Sequence, residues 1–179
     1  MNPSCNLFLI GPTGAGKTSI GRRLAAHYGL PFLDLDQEIE QHCGVELSRV
    51  FEVEGEAGFR QRERTLLDAL TARTGVLLAT GAGAVLDADN RRRLAERGFV
   101  LWLDTGIEQQ LERLARDTRR PLLAGDDRRG RLESMARIRT PLYREIADLR
   151  VPGTSQGVAA ASERCLVLLD QHWRRQQAA

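Results

Sequence analysis

The stretch Gly11-Pro12-Thr13-Gly14-Ala15-Gly16-Lys17-Thr18 constrains the fold of this chain more than any other. The apolar run Leu7-Phe8-Leu9-Ile10 precedes it, and Ser19-Ile20-Gly21-Arg22-Arg23-Leu24-Ala25-Ala26 follows. A strand, a glycine-rich turn and a helix start, in that order, make the G-x-x-x-x-G-K-[ST] phosphate-binding loop of an NTPase. Glycines let backbone N–H groups converge on phosphate oxygens without an intervening Cβ, and the helix N-terminus adds partial positive charge. The backbone of Gly14, Ala15, Gly16 and Ser19 is therefore expected to cradle phosphate. Lys17 is expected to reach the β- and γ-phosphates, and the Thr18 hydroxyl to bind Mg²⁺.

Composition reinforces this loop. Lys17 is the sole lysine among 26 basic residues, standing at the one position where a compact, flexible ammonium suits the chemistry better than a guanidinium. The length of 179 residues fits a single α/β domain spanning 1–179, with no linker dividing it. A net charge of +2 with both signs interspersed gives no electrostatic case for a nucleic-acid or membrane partner. The clusters Arg91-Arg92-Arg93 and Arg128-Arg129 read as solvated faces. Cys5, Cys43 and Cys165 share no metal-ligand spacing, and an odd number argues against a disulfide framework. A reducing cytoplasm is expected, with neither a signal peptide nor a membrane span at Met1-Asn2-Pro3-Ser4.

Along the chain, Ser19 to Tyr28 reads as a helix ended by Gly29, followed by a short strand from Pro31 to Asp36. Ligands of parallel α/β sheets gather outside the carboxyl ends of the strands, so Asp34 and Asp36 are candidates for two different roles at that edge. They can also be read as capping a helix that starts near Gln37. Residues 37–72 are helical in pattern, broken at Gly44 and near Gly55-Glu56. Arg60 and Glu63, three apart on a helix, can form a pair that fixes the guanidinium fork for a carboxylate ligand, or an ordinary surface pair.

Val76 to Ala79 reads as a buried strand, and Thr80-Gly81-Ala82-Gly83-Ala84-Val85 as a second glycine-rich turn. A helix from Ala88 to Arg97 leads to the strand Phe99-Val100-Leu101-Trp102-Leu103-Asp104. That strand resembles a Walker B element, so Asp104 competes with Asp34 for the magnesium role. Ile107 to Arg116 continues as helix and includes Arg113. Residues 117–129, charged and rich in proline and glycine, read as a lid that supplies an arginine, or as a plain surface loop. A long helix from Arg131 to Ala147 contains Pro141, expected to kink it. A fifth strand near Asp148 to Val151 and a last helix from Val158 to Trp173 complete a doubly wound five-stranded parallel sheet.

The ordered set G-P-T-G-A-G-K-T at 11–18, D-L-D at 34–36, G-E-A-G-F-R-Q-R-E at 55–63, G-A-G at 81–83, R-R-P-L-L at 119–123 and R-T-P-L-Y at 139–143 resembles the shikimate kinase family, within the nucleoside-monophosphate-kinase-like group. The resemblance covers the whole chain. It implies transfer of the ATP γ-phosphoryl group to the 3-hydroxyl of shikimate, in the route to aromatic amino acids, by a monomer with ATP and Mg²⁺. It also implies an acceptor-binding subregion at about 36–63 and a lid at about 114–130.

Carried over by position, Lys17 and Thr18 hold phosphate and metal, and Asp34 binds the metal's water shell. Asp36 meets the shikimate hydroxyls as the candidate base. Arg60 and Arg139 clamp the carboxylate, with the backbone of Gly81, Ala82 and Gly83 lining that pocket. Arg120 is the lid arginine, and Arg113 stacks near adenine. The chain departs from the family pattern at Ala82, where a third glycine is usual. It departs again after the last strand, where Pro152-Gly153-Thr154-Ser155-Gln156 offers Gln156 rather than an arginine to the nucleotide. A gluconate-kinase-like sugar-acid kinase and a nucleotide-binding module without catalysis are the competing readings. A GTP-driven switch is excluded, because guanine recognition by N-K-x-D needs a second lysine.

Overall fold

The computed structural model describes residues 4–115, 127–154 and 156–175. Strand β1 (Leu7–Ile10) is the centre of a five-stranded parallel sheet. The strand order is β2-β3-β1-β4-β5, with β2 spanning Phe32–Asp34, β3 Leu77–Ala79, β4 Phe99–Asp104 and β5 Leu149–Pro152. All four side chains of β1 are fully buried, which is why the sequence there is uninterruptedly apolar: a strand covered on both faces has no position for a polar residue.

Alternation along β1 divides the interior in two. Leu7 and Leu9 pack with Leu24 of α1 (Lys17–Tyr28) and Leu169 of α7 (Gly157–His172). Phe8 and Ile10 pack on the other side with Ile39 of α2 (Leu35–Cys43), Leu67 of α3 (Leu47–Thr71), Leu94 of α4 (Ala88–Arg97) and Ile146 of α6 (Arg128–Ile146). Helix α5 (Ile107–Leu114) shares a small separate cluster with α6, built on Leu114 and Leu132.

The expected elements form with shifted ends. Helix α1 begins at Lys17 and is closed by left-handed Gly29. Strand β2 stops at Asp34, not Asp36, because the Asp34 carboxylate accepts the backbone N–H groups of Asp36 and Gln37 and caps α2. Leu35 and Asp36 therefore enter a helix. Gly44 closes α2, and Gly55 interrupts α3 with φ 69° and ψ −175°, both where breaks were expected. Helix α6 runs through Pro141 without a break. The arginine clusters are paired: Arg91 with Glu145, Arg92 with Asp89, Arg93 with Asp68 and Arg129 with Glu108. All three cysteines are free thiols. Among the described residues, no helix is long and apolar enough to cross a membrane.

Candidate active site

The chain's central turn leaves strand β1 and enters α1 at Gly16, whose φ of 87° is left-handed. Among the described residues no side chain caps this helix, and a helix start of this kind can bind an anion. Lys17 Nζ donates to the carbonyls of Gly11 at 2.7 Å and Pro12 at 2.8 Å, which holds the ammonium over the loop. Thr18 Oγ1 donates to Asp34 Oδ2 at 2.6 Å. Asp34 thus caps α2, one of its two expected readings, and also accepts from the loop hydroxyl.

Gly14, Ala15, Gly16, Lys17, Thr18 and Ser19 line a cleft of about 600 Å³. Asp34, Asp36, Thr80 and Ala82 line it as well, as do Gln109, Glu112 and Arg113 of α5 and Gly157, Val158 and Ala161 of α7. The α7 wall escaped sequence reasoning, since small residues at a helix start carry no signature. Arg113 donates to the carbonyls of Gly14 at 3.1 Å and Thr154 at 2.9 Å, tying the phosphate loop to the segment after β5. Gln156 does not line the cleft, and its backbone N–H donates to Thr154 Oγ1 at 3.1 Å.

Beside the cleft, the Gly81-Ala82-Gly83 turn sits among charged side chains. A Cβ on Gly81 would lie 2.9 Å from Glu63 Oε1 and 3.0 Å from Asp36 Oδ1, so both carboxylates press on this backbone. A Cβ on Gly83 would collide with the Arg60 guanidinium. Neither glycine has positive φ, so close approach of these side chains, not backbone conformation, is what a side chain here would disturb. Ala82 has no positive φ, so its methyl group brings no backbone strain. Its carbonyl accepts a hydrogen bond from the Tyr143 hydroxyl at 2.6 Å.

Arg60 Nη1 donates to Glu63 Oε2 at 2.7 Å, with Glu63 only 1% exposed and Arg60 also held by Glu56. Burial pushes the Glu63 carboxyl above the ordinary range against the pull of Arg60. Arg139 is buried, and burial lowers its pKa, opposed by Tyr143 and reinforced by the like charge of Arg60. The Tyr143 hydroxyl, hydrogen-bonded to Arg139, is itself pushed up by burial. The structure therefore gathers Asp36, Glu63, Arg60 and Arg139 around one glycine-rich turn. Glu63 holds Arg60, and Tyr143 holds the Ala82 carbonyl. The spacing to Arg60 exposed the first, whereas nothing in the sequence tied Tyr143 to Ala82.

Asp104 stands apart. Its carboxylate is bound by Arg150 at 2.7 Å, and it lines a different, smaller cavity. Arg120 and most of the lid expected at 114–130 lie outside the described residues. Thr18 and Asp34 offer hard oxygen donors, which suits Mg²⁺, an ion commonly held by one or two carboxylates together with substrate phosphates.

A parallel sheet of this order with a phosphate-binding loop at the edge of its central strand defines a P-loop phosphotransferase of the nucleoside-monophosphate-kinase-like type. The family model for shikimate kinase matches residues 13–170. A shikimate kinase from Xanthomonas campestris pv. campestris (strain 8004) is 49% identical over 174 residues, 97% of each chain. The solved structure of shikimate kinase from Acinetobacter baumannii in complex with shikimate matches with a TM-score of 0.87 and 44% identity, covering 95% of each chain. The chain belongs to the shikimate kinase family. A gluconokinase from Sinorhizobium meliloti 1021, 14% identical with a TM-score of 0.55, shares the fold alone.

Proposed function

We propose that this chain phosphorylates the 3-hydroxyl of shikimate with ATP, giving 3-phosphoshikimate and ADP. Besides membership of the family, one observation carries the assignment of the acceptor. Arg60 and Arg139 lie close enough for their like charges to act on each other beside the Gly81–Gly83 turn, against which Asp36 packs from α2. Two guanidiniums held together against their own repulsion are relieved by an anion between them, and a carboxylate accepts both forks. Asp36 then supplies the acceptor for hydroxyl protons. A carboxylate-bearing polyol satisfies this arrangement, and ATP fits the cleft that leads from it.

Lys17 and the N–H groups of Gly14, Ala15, Gly16, Thr18 and Ser19 hold the β- and γ-phosphates. Thr18 would hold Mg²⁺ and Asp34 its water shell, and the ion would neutralise charge on the phosphate oxygens. The 3-hydroxyl oxygen attacks the γ-phosphorus, the bond to the β,γ-bridging oxygen breaks, and ADP departs. Asp36 accepts the hydroxyl proton as that bond forms. Arg60 and Arg139 fix the acceptor's carboxylate, which orients the hydroxyl in line, and positioning of this kind supplies much of the rate. Arg113 and Gln156 belong to the adenine side, and Arg120, in a lid at about 114–130, to the transferring group. Residues 36–63 form the acceptor-binding subregion of one domain. On its resemblance to the family, the chain is read as a monomer working in the cytoplasm.

A coupled assay for ADP, run with shikimate, with gluconate and with neither, tests this reading. ADP release that requires shikimate supports it. Equal release with gluconate would move the chain to the sugar-acid kinases, and ATP binding with no acceptor-dependent release would make it a module without catalysis.

A further inference from the structure

Arg139 and Tyr143 lie one turn apart on α6, and both are buried. Arg60, the other half of the proposed clamp, is gripped by the carboxylates of Glu56 and Glu63. Arg139 is fixed by a partner of another kind. It donates to the Tyr143 oxygen, which leaves the phenol's own proton for the Ala82 carbonyl at 2.6 Å. One oxygen atom therefore ties a guanidinium on α6 to the backbone turn that follows β3. The Tyr143 ring, 2% exposed, packs against Trp102 with centroids 5.9 Å apart, and Arg150 sits 5.2 Å from the Trp102 centroid. A ring packed in this way has little freedom to carry its hydroxyl elsewhere.

We propose that Tyr143 is a positioning residue for recognition of the substrate carboxylate: its hydroxyl sets the register of the Arg139 fork against the Gly81–Gly83 turn. The inference rests on the assignment of shikimate as the phosphoryl acceptor. Pairing of a guanidinium with a carboxylate is demanding in geometry, because the two planar groups must meet fork to fork. An arginine free to swing on its long stem loses that freedom when a ligand fixes it, whereas one already held gives up less. The same hydroxyl anchors the turn against which Asp36 packs, so the residue that meets the carboxylate and the backbone beside the candidate base share one reference point. Burial holds the phenol well above the ordinary tyrosine range, which keeps it a proton donor wherever the fold is stable.

Tyr143→Phe keeps the ring against Trp102 and removes only the oxygen, with Tyr143→Met as a second variant lacking the hydroxyl should the first not fold. Steady-state kinetics of the full chain, with shikimate and with its neutral amide, separate positioning from mere support of the fold. Tyr143→Phe should raise the KM for shikimate about tenfold while kcat and the KM for ATP change by less than about twofold. Its effect on the amide, which offers no carboxylate to the fork, should also stay under about twofold. Combined with Arg139→Ala, the loss should be less than the product of the two single losses. Ile146→Val thins the core on the same helix away from the clamp and should leave the KM for shikimate in place. An unchanged KM in Tyr143→Phe would overturn the proposal, as would an equal rise with the amide, a multiplicative loss in the double variant, or a matching rise in Ile146→Val. A parent chain that does not phosphorylate shikimate at all would overturn the acceptor assignment itself, and this inference with it.

Discussion

Thr18 Oγ1 donates to Asp34 Oδ2 at 2.6 Å, which joins the helix start of the phosphate loop to the residue that ends β2 and caps α2. The proposed metal-binding pair is thereby held by three elements at once, the loop, β2 and α2. Asp34→Asn keeps a side chain able to cap α2 but removes the charge, so folding should survive while the Mg²⁺ requirement of phosphoryl transfer rises at least about tenfold. Asp104→Asn should leave that requirement unchanged, since Asp104 is engaged with Arg150 and lines another cavity. Titrating activity with Mg²⁺ in both variants checks the assignment. The opposite pattern would move the metal site to β4.

In the proposed clamp, Arg60 and Arg139 act on one carboxylate, so their effects should not add. Each alanine variant should raise the KM for shikimate by roughly ten- to a hundredfold, and the double variant should lose less than the product of the two. An acceptor analogue lacking the carboxylate should respond to neither change. Steady-state kinetics across this cycle, with both acceptors, gives the answer.

Glu63 holds Arg60 at a cost to the fold. Its pKa is raised by burial, and an acid whose folded pKa exceeds its unfolded value stabilises fully only below the unfolded pKa, losing that contribution as pH rises through the folded one. Glu63→Gln removes this decline. The variant should gain Tm relative to the parent chain between about pH 5 and about pH 8, while its KM for shikimate rises because a neutral amide holds Arg60 less firmly. Melting curves at the two ends of that range, paired with kinetics, separate the two effects. A relative loss of Tm with rising pH would show that the ion pair outweighs burial.

Ala82 adopts no positive φ, and its carbonyl is held by Tyr143. Ala82→Gly should therefore keep similar activity and shikimate affinity, with a stability loss of about 0.4–1 kcal/mol from the freer unfolded chain. Denaturant melts and KM values test this. A many-fold gain in affinity would mean that the methyl group intrudes on the acceptor.

Much of this arrangement was legible in the sequence because it is local. The phosphate loop, the β4 run and the Gly44 and Gly55 breaks each depend on neighbouring residues, and each formed where the residue types demanded. The D-L-D segment misled because its alternation mimics a strand, while the competing signal, an aspartate capping two downstream N–H groups, lies in the same residues and prevailed at Asp34. Side chains two apart on a strand share a face, so it is the entry into helix after Asp34 that sets Asp36 apart from it. Contacts across the sheet were not legible. Tyr143 meets Ala82 and Arg150 meets Asp104 only through packing and strand register.

The account stands most directly on where the phosphoryl group goes. Phosphorus NMR of the wild-type chain with ATP, Mg²⁺ and shikimate should show one new phosphomonoester signal, coupled to the proton at carbon 3, growing in step with ADP. Inorganic phosphate in its place, or a phosphoryl group on another hydroxyl, would contradict it.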